Sequence, residues 1–331
     1  MSSLQDVAER AKVSIATVSR VLNKSDKVVP ETRATVEQAL RDLDYRPNRV
    51  ARRLRMKDGR AHLVGLIIPD IQNPFYAEIA RGVEDAAYAN EYALLLCNSD
   101  ENLEKEKFYL DVMQAESVDG LVLPPFDEND FAVVEVVETG LPVVCVDRSL
   151  ARTKTDLVEV DNYQGALEAV YHLLDRGHKQ IGLIEGRSHV STSRERRRGY
   201  LDALAAAGMA VRKELMRAGD FKQESGRVLT NELLGLRKPP TAIFVCNNLM
   251  TVGALAALHQ RGRRVPQDVA VVGFDDLPWA EALDPPPTVV RQPAYDVGRQ
   301  AMELLLKRII EPTRPPVTVR LRPELVVRRS T

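Results

Sequence analysis

From His62 onward, apolar runs alternate with helical stretches, and that alternation leaves few folds open to the chain. The runs are Leu63–Ile68, Ala93–Cys97, Gly120–Leu123, Pro142–Val146, Leu157–Val160, Gln180–Ile184, Ala242–Val245 and Val269–Gly273. Runs this continuous suit strands covered on both faces, which predicts parallel, doubly wound sheet. Helical periodicity between them predicts helices over Tyr76–Asn90, Glu104–Ala115, Asn162–Arg176, Arg194–Ala207, Gln223–Leu234, Asn248–Arg261 and Tyr295–Ile309. That is more βα units than one compact sheet holds, so the expectation is two Rossmann-like lobes with a cleft between them. Crossings between lobes are expected near Val160-Asp161, Arg291-Gln292 and Pro315–Thr318. They divide residues 61–331 into an N-lobe of about 61–160 and 292–317 and a C-lobe of about 161–291 and 318–331.

With 331 residues there is room for a further domain ahead of these lobes. Residues 1–46 read as three short amphipathic helices, Leu4–Ala11, Ile15–Leu22 and one from Pro30 to about Leu43, with a tight turn at Lys12-Val13-Ser14. Leu4, Val7, Ala8, Ala11, Val18, Val21, Leu22, Val36, Ala39, Leu40 and Leu43 supply one apolar stripe per helix, enough for a miniature core. Ser3 and Ser14 are natural N-caps. The outward face of the second helix carries Ile15, Ala16, Ser19 and Arg20. An Arg can fork onto guanine O6 and N7 while small apolar groups touch thymine methyls. Asn23, Lys24, Lys27, Thr32 and Arg33 suit phosphates, which fix position without reading sequence. Residues 47–60 follow as a basic hinge and linker (Arg49, Arg52, Arg53, Arg55, Lys57), too short for a stable helix in isolation. If the hinge orders on DNA, Leu54 becomes an apolar wedge for the minor groove.

Charge follows the same division. Residues 1–60 carry a net charge of +6 and the remainder −7, a basic head on an acidic body. The apolar fraction of 44% with 28% charged residues argues against a membrane protein. No signal peptide is visible, so the expected location is cytoplasmic. Cys97, Cys145 and Cys246 stand far apart in apolar runs and read as reduced core thiols. His62, His172, His178, His189 and His259 show no metal spacing and read as structural. No metal, cofactor or enzymatic activity is expected: no glycine-rich phosphate loop, nucleophile–base pair or ligand cluster occurs.

Ligands in open α/β sheets sit at the carboxyl ends of strands, and those ends are chemically consistent here. Asn73, Phe75 and Tyr76 follow the first strand, Asp147 and Arg148 a later one, and the Arg-rich 191–198 loop another. Asp220-Phe221, Asn247, Asp275 and Gln292 complete the series. Carboxylates accept from hydroxyls, Arg and Asn donate back, and aromatic faces cover C–H faces, which is what a neutral polyhydroxylated ring requires. Within that loop Arg194, Arg196, Arg197 and Arg198 compete for one role. Trp279 suits either a shield for the cleft or a subunit contact.

Residues 3–54, with Asp-Val-Ala, Thr-Val-Ser-Arg-Val-Leu-Asn, Tyr-Arg-Pro-Asn and the Ala-x-x-Leu hinge, resemble the DNA-binding domain and hinge helix of the LacI/GalR family. The body is similar to the effector core of those repressors and to periplasmic sugar-binding proteins, and its strand-end set is most like a ribose-binding pattern. Lys12 departs from the family's usual turn glycine. The resemblance implies a transcriptional repressor, a homodimer on a pseudo-palindromic double-stranded operator, with a small sugar, D-ribose or a related pentose, as inducer. DNA contacts would come from Ser3, Ser14, Ile15, Ala16, Thr17, Ser19 and Arg20, with Asn23, Lys27, Thr32, Asn48, Arg49, Ala51 and Leu54. Asn73, Phe75, Tyr76, Asp147, Arg148, Arg196, Phe221, Asn247, Asp275 and Gln292 would hold the effector. A purine or nucleoside co-repressor, another sugar, or a transport-type sugar-binding role are the alternatives.

Overall fold

The computed structural model describes residues 3–22, 27–45, 60–151 and 153–331. Two compact units emerge, Met1–Ala61 and His62–Thr331. The first unit holds α1 (Leu4–Arg10), α2 (Ile15–Leu22) and α3 (Pro30–Asp42). Ser3 caps α1 in a reciprocal box: Asp6 N donates to Ser3 Oγ at 3.2 Å and Ser3 N donates to Asp6 Oδ2 at 2.6 Å. Those bonds hold the Asp6 carboxyl below its ordinary pKa. Lys12 takes the left-handed conformation at φ 53°, as the turn after α1 demands. Pro30 opens α3 at its first position, where a missing N–H costs nothing. Val7, Val18 and Val36 are fully buried at the centre of the small core, and Tyr45 packs on its edge.

The second unit consists of two six-stranded sheets. In chain order come β1 (Leu63–Ile68), α4 (Pro74–Ala89), β2 (Ala93–Asn98), α5 (Leu103–Ala115), β3 (Gly120–Leu123), α6 (Phe131–Glu138), β4 (Val143–Val146) and β5 (Asp156–Val160). Then follow α7 (Asn162–Asp175), β6 (Ile181–Glu185), α8 (Ser191–Ala206), β7 (Met216–Ala218), α9 (Gln223–Leu234), β8 (Ala242–Val245), α10 (Asn248–Gln260), β9 (Ala270–Phe274) and β10 (Thr288–Arg291). The end of the chain supplies α11 (Ala294–Ile310), β11 (Thr318–Leu321) and β12 (Glu324–Val326). The sheet orders are β11-β5-β4-β3-β1-β2 and β12-β10-β9-β8-β6-β7. The fully buried strands β3, β4, β8 and β9 are the continuous apolar runs of the sequence, covered on both faces by helices. On the first sheet, α4 and α11 touch backbone to backbone through Gly82 and Gly298. A Cβ on Gly82 would lie 2.1 Å from Tyr295 O, and one on Gly298 2.0 Å from Ile79 O.

Three expectations are corrected. The last crossing does not fall at Pro315–Thr318: β11 pairs in parallel with β5, Val319 opposite Val158, so residues 318–321 belong to the first sheet and the chain crosses at Arg322-Pro323. Its Thr-Val-Arg-Leu alternation is that of an exposed edge strand, and Pro315-Pro316 in front of it imitates a boundary. The second sheet is not wholly parallel, because β12 runs antiparallel to β10. Cys97 is only half-buried, lying on edge strand β2, whereas Cys145 and Cys246 are core thiols.

Candidate functional site

On the first unit, Ile15, Ala16 and Arg20 stand exposed on one face of α2, with Ser19 and Thr17 half-buried beside them. Ser14 and Thr17 also serve the turn: Thr17 N donates to Ser14 Oγ at 3.1 Å and the two hydroxyls pair at 2.9 Å. The Ser3 hydroxyl is engaged as a cap, Lys27 is exposed and Thr32 half-buried. Asn23, Lys24, Asn48, Arg49, Ala51 and Leu54 lie outside the described residues.

In the second unit, loops at the carboxyl ends of both sheets meet around a cavity of about 30 Å³ lined by Asn73, Phe75, Tyr76, Asp147, Arg148, Arg196, Phe221, Asn247 and Asp275, with Asp70, Glu101, Thr192, Asp220 and Lys222. Nine of the ten expected effector residues are thus brought together. Gln292 reaches the site through Asp275, whose Oδ1 accepts from Gln292 Nε2 at 2.5 Å, and it lines an adjoining cavity of about 540 Å³. Each element delivers its side chain by a local rule. Asn73 caps α4, its Oδ1 accepting from Phe75 N at 3.0 Å, and Asn247 caps α10, accepting from Met250 N at 2.9 Å. Glu101, Asp147, Phe221 and Asp275 all take left-handed backbone, at φ 55°, 62°, 70° and 68°. Phe221 packs over Gly186, where a Cβ would sit 2.0 Å from the ring.

The electrostatics are tightly paired. Arg148, 3% exposed, donates to Glu101 at 2.6 and 3.2 Å, to the carbonyls of Pro125 and Phe126 at 3.4 and 3.3 Å, and to Tyr76 Oη at 3.4 Å. Burial pushes the Glu101 carboxyl up, but the Arg148 guanidinium outweighs it and holds the group below its ordinary value. For Asp147 and Asp275 burial wins over the neighbouring arginines, and both titrate above the usual carboxylate range. Tyr76 donates to Asp147 Oδ2 at 3.1 Å. Arg196 donates to Asn162 Oδ1 at 2.7 Å and Cys246 O at 2.6 Å, and lies over the Phe274 ring at 3.8 Å. Arg194 instead meets Glu128 at the rim, Arg197 approaches Glu185, and Arg198 covers Tyr163. Trp279, half exposed, lines neither cavity.

Three buried polar atoms here make no hydrogen bond: Asp147 Oδ1, Arg148 Nε and Gln292 Oε1. Buried polar groups are almost always satisfied, so these atoms leave two acceptors and a donor available to a ligand. Contacts across the cleft keep it shut: Lys222 with Asp70 at 2.5 Å, Arg194 with Glu128 at 2.6 Å, Asn248 Nδ2 donating to Asn73 Oδ1 at 2.9 Å, and the stacked Phe126 and His189 rings. The residues missed from sequence are Asp70, Glu101, Thr192 and Lys222, with Asn162 and Asn248 behind them. Glu101 does follow strand β2, but its acid-rich neighbourhood, Asp100-Glu101-Asn102-Leu103-Glu104, reads as a helix start, which it also is. Among the described residues no helix is long and apolar enough to cross a membrane, and no cluster of His, Cys, Asp and Glu could hold a metal.

Residues 3–48 match the family model described as bacterial regulatory proteins, lacI family, and residues 170–331 match the periplasmic binding protein-like domain. The chain is 36% identical to the HTH-type transcriptional repressor PurR of Histophilus somni, over 100% of this chain and 99% of that protein. Among solved structures it resembles a lac repressor dimer bound to operator and an anti-inducer (TM-score 0.88, 30% identity, covering 100% of this chain and 99% of that one). It also resembles a putative ribose operon repressor from Burkholderia thailandensis (TM-score 0.74, 38% identity, 81% of this chain and 99% of that one).

Proposed function

The chain belongs to the lacI family of bacterial regulatory proteins, and from that premise we propose a DNA-binding transcriptional repressor whose operator affinity is set by D-ribose or a related pentose acting as inducer. One observation carries the choice of ligand: Asp147 Oδ1 and Arg148 Nε make no hydrogen bond in a cavity lined by Phe75, Tyr76 and Phe221, and Gln292, which lines the adjoining cavity, has its Oε1 without a partner. A pentose supplies hydroxyls that both donate and accept, and C–H faces for the rings. The present cavity has the volume of about one water, so the cross-cleft contacts must part for the sugar to enter.

A homodimer would set two heads on a pseudo-palindromic operator, Arg20, Ile15 and Ala16 facing base edges in the major groove. The 47–60 hinges would order at the centre, with Leu54 wedged into the minor groove. Sugar and operator then favour different arrangements of one dimer, so each weakens the other by the same factor. The protein would act in the cytoplasm and bind its sugar without turning it over. A purine or nucleoside co-repressor is the second reading, supported by whole-length likeness to a repressor named PurR.

Thermal-shift titration with D-ribose, other pentoses, hexoses, nucleosides and purines, followed by gel shifts with the effective ligand, tests this. Pentoses should stabilise the protein and release DNA. Stabilisation by a purine alone would replace the pentose by the second reading.

A further inference from the structure

Arg148 is one of two buried arginines lining the cleft, yet four of its bonding directions are spent within its own lobe. Glu101 takes both terminal nitrogens, and the Pro125 and Phe126 carbonyls and Tyr76 share them. Only Nε stays open. The two side chains are 3% and 6% exposed, so no solvent screens the pair. A guanidinium whose fork is free binds phosphate bidentately, and one whose fork is filled by a carboxylate does not. The remaining charges agree: five acids (Asp70, Glu101, Asp147, Asp220, Asp275) line the cavity against three bases (Arg148, Arg196, Lys222).

We infer that Glu101 is a specificity-determining residue which, by occupying the fork of Arg148, confines the cleft to uncharged ligands and excludes phosphate esters. This rests on the reading of the cleft as the effector site and deepens it: the inducer is a free sugar, the substrate of a sugar kinase rather than its product. Glu101 itself acts through Arg148, as a positioning residue. Removing it leaves the buried guanidinium with only the more distant Asp147 carboxylate, 3.7 Å from Nε, which destabilises the fold and opens the fork beside the space the carboxylate filled. An anion should enter that space and restore stability.

The experiment uses the full-length chain and its Glu101→Ala and Glu101→Gln variants, with D-ribose, D-ribose 5-phosphate and inorganic phosphate as probes, at matched ionic strength. Binding is read by calorimetry and by ³¹P line broadening. The wild type should bind ribose and neither phosphate compound. Glu101→Ala should acquire phosphate binding, and its preference for ribose over the 5-phosphate should fall by about tenfold or more. Glu101→Gln keeps the shape and removes the charge, so it should show a smaller gain of the same kind, and it decides the matter if Glu101→Ala does not fold. Adding Arg148→Ala to Glu101→Ala should abolish the gain. The inference is overturned if the wild type takes ribose 5-phosphate as well as ribose, or if neither variant gains an anion. Should the wild type ignore ribose altogether, the pentose reading fails, and the phosphate arm still decides the role of Glu101.

Discussion

Replacing Glu106 by Gln removes a proton-binding site from the interior and flattens the dependence of stability on pH. Glu106 lies in the first turn of α5 and is 3% exposed. Burial, with a hydrogen bond to Asp130 next, pushes its carboxyl from the ordinary 4.5 up to about 10. The Asp130 oxygens are already engaged, accepting from Phe126 N at 3.0 Å and Val133 N at 3.2 Å. Between those two pKa values the folded chain therefore holds a proton that the unfolded chain has released, so stability falls as pH rises. The slope is about 1.4 kcal/mol per pH unit for one proton, or about 2.7 kcal/mol between pH 6 and 8. Gln keeps the shape and offers an N–H to Asp130 without that proton. Other buried acids, including Asp147 and Asp275, titrate in both proteins and cancel in the comparison. Urea unfolding followed at Trp279, the chain's one tryptophan, measures this in the effector core. The stability difference, variant minus wild type, should grow by about 2–3 kcal/mol from pH 6 to pH 8. Parallel pH profiles would show that Glu106 does not carry its proton through neutrality, and the argument would be refuted.

Two further outcomes follow from the same geometry. Gly186→Ala drives a methyl group into the Phe221 ring, which must turn into the cavity. Calorimetry should find pentose affinity lowered by about tenfold or more with the melting temperature little changed, and unaltered affinity would remove Phe221 from the site. Leu54→Ala should weaken binding to a specific operator while leaving salt-sensitive non-specific binding nearly intact, and equal losses on both DNAs in an anisotropy titration would contradict a minor-groove wedge.

What sequence could and could not reveal divides along a physical line. Val143–Val146 and Ala242–Val245 are buried to the last residue, so their apolar runs announce them. Thr318–Leu321 at a sheet edge is half solvated and shows no such run. At the site, Asn73, Asp147, Asn247 and Asp275 follow from one local rule, that strand ends face ligands. Among four clustered arginines, helix α8 buries Arg196 and turns Arg194, Arg197 and Arg198 toward other partners. Spacing alone gives that choice little support. Glu101 also follows a strand end, but its meaning depends on Arg148, 47 residues away, which no local rule supplies. The difference matters for function. Residues that touch a sugar announce its hydroxyls, whereas the sign of the ligand's charge is set by how the cations around it are already paired. Asp147-Arg148 read alone permits a phosphate, and the filled fork of Arg148 argues against one. Prediction of effectors for proteins of this family should therefore begin from which buried donors and acceptors remain open, since Arg148 Nε, Asp147 Oδ1 and Gln292 Oε1 carry more information about the ligand than the residue types that line the cleft.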